Sequence, residues 1–460
     1  MSPTLNPLES PFGKRGTSRI GIDGVCRGAK PLCRGLGCPQ ILYSPPKIGG
    51  QGVDADWARV SQQNDPFSRA GAHIYAGRCE EREVALMDLG LTEQQEMLRK
   101  MARDFLTTEC PKKLVRDMEE DEKGYLPELW RKMAELGWLG LPFPEQYGGM
   151  AGSFLDLCVL LDEMGRACLP SPFFSTVILS GLAIAYAGDD AQKQDFLTAI
   201  TNGERIVAFA FGEADGGYDA GSIALEAHHQ GDHYTVNGTK LFVQDANVAD
   251  WILCVARTKK SHNPEDGITL LLVKNEKPGV TCTVMSSLAK DKQCEVVFNG
   301  AKGTVLGKPD HGWAEVTRIV QRAAVGKSIE MVGGAQQVLE MSVAYAKERV
   351  QFDKPIASFQ AIQHHCANMA VNVDTARLLA YQAACKIADG EPCDTEAAMC
   401  KAWASDAYQR VVVLGHQVHG AIGFTLDHDM QLYSRRAKAA EVALGDADYH
   451  RELLAQQLEA

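Results

Sequence analysis

The chain has 460 residues and carries 59 acidic against 47 basic side chains, a formal net charge of −12 at pH 7. That length holds two or three domains around a large core, and the acidic balance argues against a nucleic-acid partner, which needs a basic face. No apolar run approaches the roughly 20 residues required to cross a bilayer, so no membrane span is expected.

Fourteen cysteines are dispersed along the chain. None forms a Cys-x-x-Cys pair, and Cys33 and Cys38 lack partners at zinc-finger spacing. Scattered thiols in a large chain suit a reducing, cytoplasmic setting. Residues 1–86 are basic, rich in Gly, Pro and Ser, and without sustained periodicity. They are expected to be a non-native or disordered extension ahead of a true start at Met87. A transit peptide is the second account, weakened by the absence of an amphipathic helix. Intact-mass measurement of native protein separates the two.

Residues 87–205 read as a helical domain. Thr92-Glu93-Gln94-Gln95 has the form of a capping box, followed by Met97, Leu98, Met101 and Phe105 at helical spacing. Leu129–Trp138 predicts a second helix stopped near Gly137, 140–149 a turn-rich loop, and Phe154–Met164 a long apolar helix. From 206 to 310 the pattern turns to strands: Val207–Phe211, Trp251–Arg257, Ile268–Val273 and Glu295–Phe298, with Asn237-Gly238 predicting a hairpin inside His233–Val243. Residues 311–460 are helical again. Val332-Gly333-Gly334-Ala335 predicts a close approach of two helices, and Gln417–Thr425 a helix broken by small residues. The histidines at 364, 365, 416, 419 and 428 lack the carboxylates or thiolates of a four-ligand set, so no metal is expected.

One stretch organises the rest. The helix ending at Arg349 gives way to an Asp353-Lys354-Pro355 turn, and a second helix starts near Ser358. Arg349, Phe352 and Gln360 are thereby gathered at one corner, where a guanidinium fork suits phosphate. Lys347–Ile356 followed by Phe359-Gln360-Ala361-Ile362 resembles the flavin-binding signature of the acyl-CoA dehydrogenase family, with Asp353 in place of a glycine. Gln417–Phe424 resembles a second family segment, with Ala421 for another glycine, and Asn237-Gly238-Thr239-Lys240 and Ala249-Asp250 resemble motifs of its middle domain. The resemblance covers the chain from Met87 onward. It implies an α+β multidomain fold: an N-terminal helical domain, a central antiparallel β domain and a C-terminal four-helix bundle.

The same resemblance implies a FAD-dependent acyl-CoA dehydrogenase that desaturates an acyl-CoA thioester between Cα and Cβ. Arg349, Phe352, Gln360, Gln417, Gly420 and Gly423 become candidate cofactor-binding residues. Electron-transfer flavoprotein is the implied acceptor, and a homo- or hetero-oligomer is implied because the family builds its flavin site from two chains. Two flavin-facing places differ: Gly212-Glu213-Ala214 with Gly217-Tyr218-Asp219, and Phe242-Val243-Gln244, where two threonine hydroxyls are replaced. The Gln244 amide is a candidate substitute for one of them. The chemistry needs a carboxylate of raised pKa to take the α proton, yet the two family positions for it hold Leu444 and Ala323. Asp446 is the first candidate in its stead, with Asp156 and Glu441 behind it. The alternative is a catalytically silent flavin-binding subunit of a heteromeric enzyme.

Overall fold

The computed structural model describes residues 90–459; the expectations for residues 1–86 and for a start at Met87 lie outside them. Thr92 caps α1 (Glu93–Glu109) through the reciprocal pair predicted, Gln95 N to Thr92 Oγ1 at 3.2 Å and Thr92 N to Gln95 Oε1 at 3.0 Å. After α2 (Lys112–Glu120) and α3 (Pro127–Glu135), Gly137 adopts φ 76 and ends the run. α4 (Phe154–Ala167) begins with a second capping box, Ser153 with Asp156, and is buried along most of its length. Phe174–Gly181 is wound as a π-helix running into α5 (Leu182–Ala187); α6 (Asp190–Thr201) closes the domain. Such widened turns are rare and collect at functional sites.

The middle domain contains β1 (Val207–Ala210), β2 (Glu226–Gln230), β3 (His233–Gln244), β4 (Trp251–Arg257), β5 (Ile268–Lys274), β6 (Val280–Met285) and β7 (Gln293–Leu306). The pairings β4–β2–β3–β7–β5 return to β4, so the sheet closes on itself, with β1 and β6 added outside that ring. Most neighbours are antiparallel; β1 runs parallel to β4. The Asn237-Gly238 hairpin is corrected. β3 passes through it unbroken, and the pair sits at a register shift against β7. The hairpin lies one step earlier, where Gly231-Asp232 joins Gln230 to His233.

α7 (Trp313–Glu348) has 36 residues, about 54 Å at roughly 1.5 Å per residue. A hairpin of β8 (Val350–Gln351) and β9 (Lys354–Pro355) leads to α8 (Gln360–Ala388), α9 (Asp394–His419), α10 (Met430–Val442) and α11 (Ala447–Glu459). Gly333 does what its position predicts: a side chain there would collide with the backbone carbonyl of Asp162 on α4. Gly334 packs beneath the Tyr408 ring of α9. α4, α7 and α9 are thus drawn together at a fixed spacing. Among the described residues no helix is long and apolar enough to cross a membrane.

Candidate active site

A cavity of about 730 Å³ opens where α4, the π-helix, α7 and the end of α10 meet the edge of the β domain, a size that suits a small-molecule ligand. Leu161, Met164, Phe173 and Phe174 line it from the first helical domain, and Phe211–Ala214, Leu241, Phe242, Gln244 and Asp245 from the sheet edge. The β-side wall is held by charge. Glu213 pairs with the fully buried Lys240 at 2.6 Å, Lys240 also donates to Phe211 O at 2.9 Å, and Glu213 accepts the backbone N–H of Ala224 at 3.0 Å. Phe242, at φ 54, keeps 66% of its surface exposed, an aromatic face open to the cavity. The Gln244 amide has no hydrogen-bond partner among the described residues and lines the same wall.

Asp245 follows at the turn after β3 and is buried. The π-helix brings Ser175 Oγ to within 2.6 Å of Asp245 Oδ2. Burial pushes the carboxyl up to about 7, with nearby Asp291 adding to the rise and the Ser175 bond and Lys327 opposing it. Nothing in the sequence pointed to it: a single Asp after a strand is indistinguishable from a turn residue.

Across the cavity, Leu444 lines the wall from a strained turn, φ 59, followed by Gly445 at φ 91. Its backbone is clamped. Lys401, fully buried, donates to Glu441 O at 3.0 Å and Gly445 O at 2.8 Å, and His450 Nε2 bonds Leu444 O at 2.9 Å. Burial lowers Lys401 to about 7 and His450 to about 4, so His450 is neutral and donates through Nε2–H. The other carboxylates weighed from sequence lie off the cavity wall. Asp446 is exposed and accepts the backbone N–H of Tyr449 at 2.9 Å, as a cap for α11. Asp156 is taken by Ser153 and Gln95, and Glu441 by Lys438 at 2.9 Å. Ala323 is buried in the core.

The six candidate cofactor residues gather elsewhere, at one end of the bundle. β8 and β9 are joined by Phe352 at φ 54 and Asp353 at φ 64, two successive left-handed residues, as a two-residue type I′ turn requires. Asp tolerates that conformation better than most non-glycine residues, which accounts for Asp353. Phe352 is 86% exposed with its ring edge-on to Phe359 at 6.0 Å. Tyr345, one turn before Arg349, stacks on His419 at 4.7 Å and so places the Gln417–Gly423 segment beside the hairpin. Gly420 turns the chain at φ 64, and Gly423 is buried against His419 and His416. The side chains of Arg349, Gln360 and Gln417 are exposed and have no hydrogen-bond or ion-pair partner among the described residues. None of the six lines the cavity.

Three family models tile the described chain: the acyl-CoA dehydrogenase N-terminal domain over residues 92–204, the middle domain over 208–301 and the C-terminal domain over 310–459. This chain belongs to the acyl-CoA dehydrogenase family. Members of the acyl-CoA dehydrogenase family are flavoprotein oxidoreductases, and this chain is an oxidoreductase of that kind. A probable acyl-CoA dehydrogenase of Bacillus subtilis, YngJ, is 32% identical over 81% of this chain and 100% of its own length. The caffeyl-CoA reductase-Etf complex subunit CarC of Acetobacterium woodii is 28% identical over 80% and 98%. The structure of butyryl-CoA dehydrogenase from Megasphaera elsdenii superimposes with a TM-score of 0.75 at 30% identity, covering 81% of this chain and 100% of that one.

Proposed function

We propose that the chain binds FAD and desaturates an acyl-CoA thioester between Cα and Cβ, with Asp245 taking the α proton. The observation that carries this reading is the cavity itself: an apolar chamber with one exposed aromatic face, Phe242, and one buried carboxyl of raised pKa, Asp245. The residues present fit a flavin. Phe242 offers a flat apolar surface, the unpartnered Gln244 amide stands where the family has a hydroxyl, and Arg349, Gln360 and Gln417 are polar groups left for a ligand. When bound, FAD supplies the acceptor for the hydride that leaves Cβ.

The protein's own part is proton chemistry and exclusion of water. Ser175 occupies Asp245 Oδ2, which leaves Oδ1 to receive the α proton. A pKa of about 7 keeps that oxygen basic enough to act and ionised often enough to start. Phe173, Phe174, Leu161 and Met164 keep the chamber dry, which raises the worth of each charge inside it. Asp446 is not retained as the base, because its carboxylate caps α11 and faces solvent.

The corner at Arg349 faces outward, so a second chain is proposed to bring its own corner to this chamber and to receive this one in return. CarC, a relative named as a subunit of a reductase complex with Etf, supports both an assembly and electron-transfer flavoprotein as a redox partner, here proposed as the acceptor. The relatives do not favour a catalytically silent subunit. Ten cysteines of the described residues are free thiols, in keeping with a reducing cytoplasm. Purified full-length chain is expected to be yellow, and anaerobic addition of acyl-CoAs to bleach it. A colourless protein that takes up no added FAD overturns the reading.

A further inference from the structure

One corner of the cavity is not built for hydrocarbon alone. Lys327 and Glu330, one helical turn apart on α7, both reach the wall and pair at 2.5 Å, with the ammonium 3.8 Å from the centre of the Phe174 ring. Tyr408 lines the same corner, and its hydroxyl makes no hydrogen bond among the described residues. Arg436 completes it from α10. Its Nη1 reaches only the Leu169 carbonyl, at 3.5 Å, its buried Nε has no partner, and no carboxylate lies within ion-pair distance. The neighbouring Arg435 shows the contrast: it holds Glu119, another carboxylate lining the cavity, through both oxygens at 2.8 Å. Burying an unpaired cation beside apolar side chains is costly. Glu330 and Glu119 favour the charged guanidinium from a distance, but each is already paired, with Lys327 and Arg435, so neither pairs with Arg436.

We propose that this corner is a subsite for a carboxylate at the far end of the acyl chain, with Arg436 as its counter-ion and Tyr408 as a second donor. The substrate class is then an ω-carboxyacyl thioester rather than a plain fatty acyl thioester. A guanidinium meets a carboxylate through two parallel N–H donors, and the Lys327–Glu330 pair keeps the acid from being drawn to Lys327 instead. A hydrocarbon tail of equal length leaves Arg436 desolvated and unpaired, so selectivity arises from a group the wrong substrate cannot satisfy. The inference rests on the reading of the cavity as an acyl-thioester site.

The test is calorimetric binding of adipyl-CoA and hexanoyl-CoA, which match in chain length, to the full chain as purified. Adipyl-CoA is expected to bind at least about tenfold more tightly, as one buried charge-assisted pair predicts. Arg436→Gln is expected to abolish that preference by weakening adipyl-CoA, and Arg436→Lys to retain part of it. Tyr408→Phe, which keeps the ring against Gly334, is expected to reduce it a few-fold and stands in if Arg436→Gln does not fold. Equal or tighter binding of hexanoyl-CoA by the wild-type chain overturns the subsite while leaving the dehydrogenase reading intact. Binding of neither thioester overturns both.

Discussion

The cavity and the Arg349 corner treat their polar groups in opposite ways. In the cavity most charges are matched inside the chain: Glu213 with Lys240, Glu119 with Arg435, Lys327 with Glu330. At the corner, Arg349 at the end of α7, Gln360 at the start of α8 and Gln417 near the end of α9 have no side-chain partner among the described residues and stand exposed. The first region is a preformed site whose shape one chain dictates. The second is what we propose to be half of a site, with donors that a ligand or another chain would satisfy.

That contrast can be broken most forcefully from the cavity side. Asp245→Asn is expected to lower turnover by roughly 10²–10⁴-fold, the usual contribution of a general base, while thioester binding measured by calorimetry is kept. Leu444→Glu in that background is expected to restore part of the loss, because residue 444 lines the same cavity and its clamped turn is already paid for by Lys401 and His450. The Asn variant also carries a stability signature. The folded Asp245 carboxyl sits at about 7, above its ordinary 3.8. As pH rises between those values the unfolded chain gives up its proton first, so the wild type loses stability across that window while the protonated form below it is fully favoured. Denaturation curves for Asp245→Asn are expected to lack that decline.

From the corner side the effects are smaller and of a different kind. Arg349→Met is expected to weaken flavin retention roughly 10–150-fold, equivalent to about 1.5–3 kcal/mol for a hydrogen bond to a charged group, with melting of the flavin-free chain unchanged. Equilibrium dialysis against FAD measures it. A variant that melts earlier but holds flavin normally contradicts the idea of an outward half-site. Smallest in scope is Gly333→Val, whose side chain meets the Asp162 carbonyl and pushes α4 from α7. It is expected to cost about 1–3 kcal/mol in urea denaturation, as overpacking does, and to disturb thioester binding more than flavin binding.

The sequence carried the elements whose signals are local. The Thr92 capping box, the stop at Gly137, the bounds of β4 and the close approach at Gly333 each follow from a residue and its near neighbours. What it did not carry depends on pairing at a distance. Asn237-Gly238 is a strong turn signal, but the ladder with β7 extends β3 through it and spends the pair on a register shift. Asp446 lies only two residues beyond Leu444, but the left-handed turn at 444–445 sends the side chain to the start of α11. In sequence alone Asp245 is indistinguishable from a turn residue and Arg436 from a solvated helix charge, since nothing in their own neighbourhoods announces that a cavity lies across from them.

Rapid anaerobic mixing of the flavin-loaded chain with a saturating acyl-CoA, repeated from acid to mildly alkaline pH, bears most directly on the proton acceptor. The bleaching rate is expected to rise with pH and level off above about 7 for the wild type, and to be slow and flat for Asp245→Asn. A variant that bleaches at the wild-type rate with the same pH profile contradicts the account.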